Sequence, residues 1–300
     1  MPSRRHQLLA YAVPRVRRSR DLVDEPTERA RVEQWQQGLD RSLPTQLVPG
    51  FERRFSVVTE ELPAGFPVHV VTPRHLEPRR TLFHVHGGAF MSPVDAFSVR
   101  FVARLARRLQ ARVVVADYPL APGHTWRDSF AAMTDLASRW AGESRTSLVG
   151  DSAGGGYALA LAQALRDRGG PQPSELLLLS PWADLTTSTP ETAAFAERDP
   201  WLFLGKVHAY ARWWAGSEHD LGRPEVSPAL GDLTGLPRTL MFCGTRDILL
   251  PGCRLLADRG REAGWDLTYV EQPDLIHVYP LLPFVPEART ARRQALEFLR

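Results

Sequence analysis

Residues 147–156 read Ser-Leu-Val-Gly-Asp-Ser-Ala-Gly-Gly-Gly, and they carry the chain from a short apolar strand into a helix with one residue at the corner. The strand is predicted to end at Gly150 and the helix to run from Ala153 to about Arg168, which leaves Ser152 on the turn. Such a corner forces its residue into strained backbone angles and presents the side chain beyond the carboxyl edge of a sheet. Glycine is needed at 150 and 154, because side chains there would strike the neighbouring strand and helix. The first helical turn also aims unpaired N–H groups at the same point. A bare G-x-S-x-G match is equally well a glycine-rich turn with an incidental serine. Here the strand and the helix are both in place around it.

The rest of the chain keeps this strand-to-helix rhythm. Core strands are predicted at 81–85, 112–116, 147–150, 175–179, 238–243 and 266–270, with helices near 95–110, 126–141, 153–168, 250–264 and 286–299. The strands are rich in Val, Leu and Phe with little alternation, as expected where helices cover both faces. Two earlier strands, 54–62 and 66–72, are joined by Pro63-Ala64-Gly65 as a hairpin. Pro67 cannot donate to a ladder, so the second should lie towards a sheet edge. The expectation is an α/β protein with a mostly parallel, eight-stranded sheet. Three hundred residues, 43% of them apolar, suffice for one large domain of this kind.

Two stretches fall outside the rhythm. Residues 1–50 are polar and arginine-rich, with helices expected near 6–20 and 27–40, and they end at Pro49-Gly50. The segment between Leu179 and Arg238 is too long for one crossover, and it holds Trp201, Trp213 and Trp214 on or near a helix at 200–215. We expect residues 1–50 and an insertion at about 185–235 to pack together as a cap over the main domain, 51–300. An aromatic helix that merely completes the core is the plainer alternative.

Charge and cysteine content exclude several classes. The net charge is only +3, and Lys206 is the sole lysine. Arg15, Arg17, Arg18 and Arg20 cluster without interleaved aromatics or a nucleic-acid module, so a solvated helix face is expected and no nucleic-acid partner. Cys243 and Cys253 make no disulfide framework, and Cys243 closes an apolar strand as a small buried residue. No apolar run reaches the roughly eighteen residues of a membrane span, and 8–13 is too short for a signal-peptide core. A soluble, cytoplasmic monomer or homodimer is expected.

A serine hydroxyl is a weak nucleophile until a base takes its proton, and the base needs a third group to hold its tautomer. On sheets of this type these groups follow in the order serine, acid, histidine. Of His208, His219 and His277, only His277 follows the last predicted strand. Asp247 follows the strand 238–243 at the same sheet edge. Asp274 is nearer to His277 in sequence, yet a neighbour on so short a loop is poorly placed to hold the ring. A helix N-cap is the plain reading of Asp247. Developing negative charge on oxygen needs fixed donors, which Ala153 and the loop His86-Gly87-Gly88-Ala89-Phe90 can offer. His84 and His86 form an H-x-H pair without nearby carboxylate or thiolate ligands, so neither metal nor cofactor is expected.

With these residues in view, the chain resembles the hormone-sensitive-lipase-like esterases of the α/β-hydrolases. The likeness runs from about residue 80 to the C-terminus. It also takes in Asp117-Tyr118-Pro119-Leu120-Ala121-Pro122, Ser180-Pro181-Trp182-Ala183-Asp184-Leu185-Thr186, Gly244-Thr245-Arg246-Asp247-Ile248-Leu249 and His277-Val278-Tyr279. The resemblance implies a triad of Ser152, Asp247 and His277. It implies an oxyanion hole around Gly87, Gly88, Ala89 and Ala153, with the amides of the last three as donors. It implies a carboxylesterase acting on short- to medium-chain, small-molecule esters through an acyl-enzyme. Ala89 stands where the family has a third glycine, and Gly123 where it has a glutamate. A ligand-binding protein on the same scaffold, or a serine amidase or acyltransferase, would share most of these features.

Overall fold

The computed structural model describes residues 1–17 and 20–300. Arg18 of the arginine cluster lies outside the described residues, while Arg15 and Arg20 are exposed. The strands are β1 (Phe55–Glu61), β2 (Pro67–Pro73), β3 (Arg80–Val85), β4 (Ala111–Ala116), β5 (Thr146–Asp151), β6 (Glu175–Leu179), β7 (Arg238–Arg246) and β8 (Leu267–Ile276). They form one sheet in the order β1-β2-β4-β3-β5-β6-β7-β8. From β4 through β3 to β8 all pairings are parallel, and β1 and β2 are antiparallel additions.

The helices are α1 (Arg4–Arg17), α2 (Glu25–Gln37), α3 (Phe51–Arg54), α4 (Ala96–Leu109), α5 (Phe130–Glu143), α6 (Ser152–Arg168), α7 (Thr192–Ala196), α8 (Leu204–Ala215), α9 (Leu250–Glu262) and α10 (Pro286–Phe298). Successive strand residues point to opposite faces. Leu176 and Leu178 of β6 accordingly join one apolar cluster with α5, α6 and α9. Leu177 and Leu179 join a second, with α4 and α10. Strands β3, β5 and β6 are buried along their whole length, which explains the apolar pairs Leu82-Phe83 and Leu148-Val149 and the run Leu176–Leu179.

Three expectations need adjustment. Strand β2 is not an edge, because β1 flanks it on the outside. Pro67 is tolerated as the first residue of β2, opposite Glu61. The helix predicted from 126 begins instead as a single 3-10 turn, Trp126–Asp128, fixed by a reciprocal cap between Thr125 and Asp128. Strand β8 runs on to Ile276, because pairing with β7 resumes after an irregularity between Gly244 and Arg246. That extension sets the position of the loop after it.

The N-terminal segment packs on the insertion between β6 and β7. Asp21 accepts from the N–H groups of Gly205 and Lys206 at the start of α8 (3.1 and 3.0 Å). Glu25 accepts from Trp213 Nε1 at 2.7 Å and pairs with Arg212. Gln36 donates to the carbonyls of Met91 and Ala121 (2.9 and 2.7 Å), and Arg41 pairs with Asp117 at 2.8 Å. No helix among the described residues is long and apolar enough to cross a membrane.

Candidate active site

Ser152 has φ +52°, a left-handed value that a non-glycine residue adopts only at an energetic cost. The surroundings enforce it. A Cβ at Gly150 would run into the backbone of Gly154, and one at Gly154 into the carbonyls of Val85 and His86. Strand β5, helix α6 and the end of β3 therefore approach too closely for any other residue. Trp182 N–H donates to Ser152 O at 2.8 Å, which ties the Ser180-Pro181-Trp182 motif to the same corner.

Beyond the carboxyl ends of β7 and β8 stand Asp247 and His277. Ser152 Oγ lies 2.9 Å from His277 Nε2, and His277 Nδ1 lies 2.8 Å from Asp247 Oδ2. All three side chains are buried. The orientation of the acid is fixed from behind, because Asp247 Oδ1 accepts from Leu249 N–H at 3.0 Å. Asp247 is not the N-cap of α9, the plain reading given above: that position is Leu249, which has no side-chain cap, and Asp247 holds only its N–H. The histidine loop is fixed by Val278 N–H donating to Ser180 Oγ at 3.1 Å. Burial works to lower the His277 imidazole, but Asp247, with Asp199 and Asp151 beyond it, holds it above its ordinary value. The Nδ1–H donated to a carboxylate leaves Nε2 free to accept the serine proton.

The other candidates fall elsewhere. Asp274 is exposed, with its N–H on Thr245 Oγ1. His208 meets Thr187 Oγ1 at 3.0 Å, and His219 lies on a polar 3-10 turn. His86 Nδ1 donates to Gly87 O at 2.8 Å, and its ring stacks on Tyr118, whose hydroxyl donates to His86 O. His84 Nδ1 donates to Val149 O, and burial and His86 push its pKa down to about 3. Both rings brace the loop after β3.

That loop faces Ser152. Gly88 has φ +105° and Ala89 φ +56°, and a Cβ at Gly88 would sit 2.8 Å from Ser92 Cβ. The Gly87 N–H is turned to the Asp151 carboxylate. The N–H groups of Gly88 and Ala89 find no backbone or side-chain acceptor among the described residues. Ala153 N–H belongs to the open first turn of α6. Phe90 stacks face to face on Trp214 of α8, centroids 4.2 Å apart, so the insertion buttresses this loop.

Three further groups lie beside these residues, and of them Asp199 gave no signal in the sequence. Asp199, on the insertion, accepts from Trp201 N–H and Leu202 N–H (2.7 and 3.0 Å) through Oδ1, and from Ile248 N–H (2.8 Å) through Oδ2. Burial, then Asp247, pushes its pKa up to about 6. Trp201 sets its ring edge-on to His277 at 5.8 Å. Asp151, in the turn itself, is raised to about 7 by burial and then Asp95.

Known proteins resemble this chain in sequence and fold. A family model described as the alpha/beta hydrolase fold matches residues 82–281. An acetyl-hydrolase of Streptomyces hygroscopicus is 34% identical over 227 residues, covering 74% of this chain and 75% of that protein. An esterase of Acinetobacter venetianus is 30% identical over 222 residues, covering 72% and 73% respectively. The crystal structure of an esterase from the bacterial hormone-sensitive lipase family matches with a TM-score of 0.81 at 26% identity, over 100% of this chain and 99% of that one. On these grounds the chain belongs to the α/β-hydrolase family, among its hormone-sensitive-lipase-like esterases.

Proposed function

We propose that this carboxylesterase acts through Ser152, His277 and Asp247, with the amides of Gly88, Ala89 and Ala153 receiving the oxyanion. The observation that carries the reading is the unbroken hydrogen-bond line Asp247–His277–Ser152. Ser152 Oγ attacks the ester carbonyl carbon as its proton passes to Nε2 of His277. The negative oxygen rests on the three amides. As the tetrahedral adduct collapses, the bond to the leaving alcohol breaks and that alcohol takes the proton from Nε2. Water then attacks the acylated serine and gives a proton to Nε2. Collapse of that second adduct releases the carboxylic acid and returns the proton to Ser152. Asp247 stabilises the imidazolium formed in each half.

The substrate class we favour is small-molecule esters with short acyl groups. Supporting this are the acetyl-hydrolase name of the Streptomyces relative, the low exposure of Ser152 (8%), and Trp201 beside the base. Residues 1–50 and the insertion at about 185–235 form the cap in this reading, since Asp21, just before α2, and Glu25, its first residue, both bond to α8. Ser152→Ala should lower kcat on p-nitrophenyl acetate by at least about a thousandfold. Near wild-type turnover would overturn the mechanism. A series of p-nitrophenyl esters of rising chain length, run beside the matching anilides, tests the acyl preference and the preference for ester over amide.

A further inference from the structure

The sheet face covered by α4 and α10 carries a concave surface that the ester chemistry does not use. Arg100, Arg104 and Arg108 recur along α4 at the spacing of one helical stripe, and Arg289 and Arg292 stand on α10. Nine arginines in all line a groove of about 570 Å³ between these helices and α3. Its floor is apolar, with Phe51, Phe55 and Leu105. No Asp or Glu is among the lining residues. Among the described residues the one acid in ion-pair range of any of the nine is Glu297, 4.0 Å from Arg293.

This chain is arginine-rich throughout, so arginine alone says little. Several arginines elsewhere meet acids, Arg254 on Glu271, Arg127 on Asp220 and Arg41 on Asp117, while others stand alone on the surface. What sets the groove apart is that eight of its nine arginines converge on one hollow with no acid in ion-pair range. Like charges at i, i+4 destabilise a helix, and here two such rows face a common hollow. The strain registers at Arg292, which burial first, and then Arg104, Arg100 and Arg289, hold down to about 10. Arg292 itself is anchored, donating to Pro280 O and Leu282 O at 3.0 and 3.3 Å. The side chains of Arg104, Arg108 and Arg289 make no ion pair or hydrogen bond among the described residues, so their forks are free to accept a ligand.

An occupant must bring several negative charges in a small volume. The volume lies within the roughly 300–1,000 Å³ of small-molecule sites. A hollow that admits a small ligand keeps a flat lipid surface away from its floor. Guanidinium forks bind phosphate oxygens two at a time, and the apolar floor suits an organic group. We infer that this groove is a binding site for an organic diphosphate, a nucleoside diphosphate being the representative class. Its phosphates would lie between the arginines of α4 and α10 and its organic part against Phe51 and Phe55.

The test uses the full chain and ADP as the probe, with inorganic pyrophosphate and anionic phosphatidylglycerol vesicles as comparison arms. Calorimetric titration at low salt should give saturable ADP binding, tighter than that of pyrophosphate and weakened by added salt. Two variants that leave buried contacts intact, Arg104→Gln with Arg108→Gln, and Arg289→Gln alone, should each weaken ADP binding, the pair by at least about tenfold. Turnover of p-nitrophenyl acetate should be unchanged in both, which separates this site from the triad. Absence of saturation at millimolar ADP would overturn the inference. So would ADP binding that the variants leave intact, or binding confined to the vesicles.

Discussion

Replacing Asp247 by Asn probes the candidate site most sharply, because the structure dictates which way the new amide must face. Leu249 N–H donates to Oδ1 at 3.0 Å and requires an acceptor there. The amide oxygen therefore takes the Oδ1 position, and its NH₂ takes the place of Oδ2, 2.8 Å from His277 Nδ1. A donor now faces Nδ1. The imidazole must place its proton on Nε2 and accept at Nδ1, and in that tautomer it cannot take the proton of Ser152. Loss of the carboxylate also removes the charge that stabilises the imidazolium. Together these should cost about 10³–10⁴ in kcat, roughly 4–5.5 kcal/mol, the scale set by the same change in other serine hydrolases. The acidic limb of kcat/KM should move as well. His277 is raised mainly by Asp247 against burial, so without that charge its titration falls to lower pH. The assay is p-nitrophenyl acetate turnover from pH 5 to 9, with circular dichroism to confirm folding. A folded variant within about tenfold of wild type and with an unmoved acidic limb would refute the reasoning.

Two further outcomes follow from the same geometry. Gly154→Ala pushes a methyl into the carbonyls of Val85 and His86, which belong to rigid backbone, and should cost about 3 kcal/mol or more in urea unfolding. Asp199 is raised to about 6, so between about pH 4 and 6 the folded state holds a proton that the unfolded chain has released. Stability should therefore fall as pH rises through that window, by roughly 2–4 kcal/mol. Asp199→Asn should lose that slope in urea midpoints compared at both ends of the window. It should also shift the pH profile of turnover, since Asp199 bears on His277.

Steric and local chemical logic was legible in the sequence. The Ser152 corner announced itself because only glycine survives at 150 and 154, and neither the strand nor the helix beside it depends on distant residues to be recognised. Strand β6 was equally plain, since burial on both faces leaves the unbroken run Leu176–Leu179, and β3 and β5 showed shorter apolar stretches of the same origin. Pro67 misled because a missing donor marks either an edge strand or a strand's first residue, and sequence does not separate the two. The end of β8 was missed because pairing with β7, not propensity, carries it past Pro273. Asp199 carried no local signature. Its partners are two amides next to it and one at Ile248, almost fifty positions away, and only folding unites them. The arginine groove was invisible for the same reason, as α4 and α10 are far apart in the chain.

Asp199 joins two parts of the molecule that engineers usually treat as separate. One carboxylate oxygen holds the turn carrying Trp201, and the other holds the amide immediately after Asp247. Redesigning residues 199–204 to admit bulkier esters would thus also disturb the acidity of His277, the base in the proposed mechanism. On the proposed cap reading, selectivity and working pH are inherited together, and a library that varies one while screening at a single pH will discard active variants.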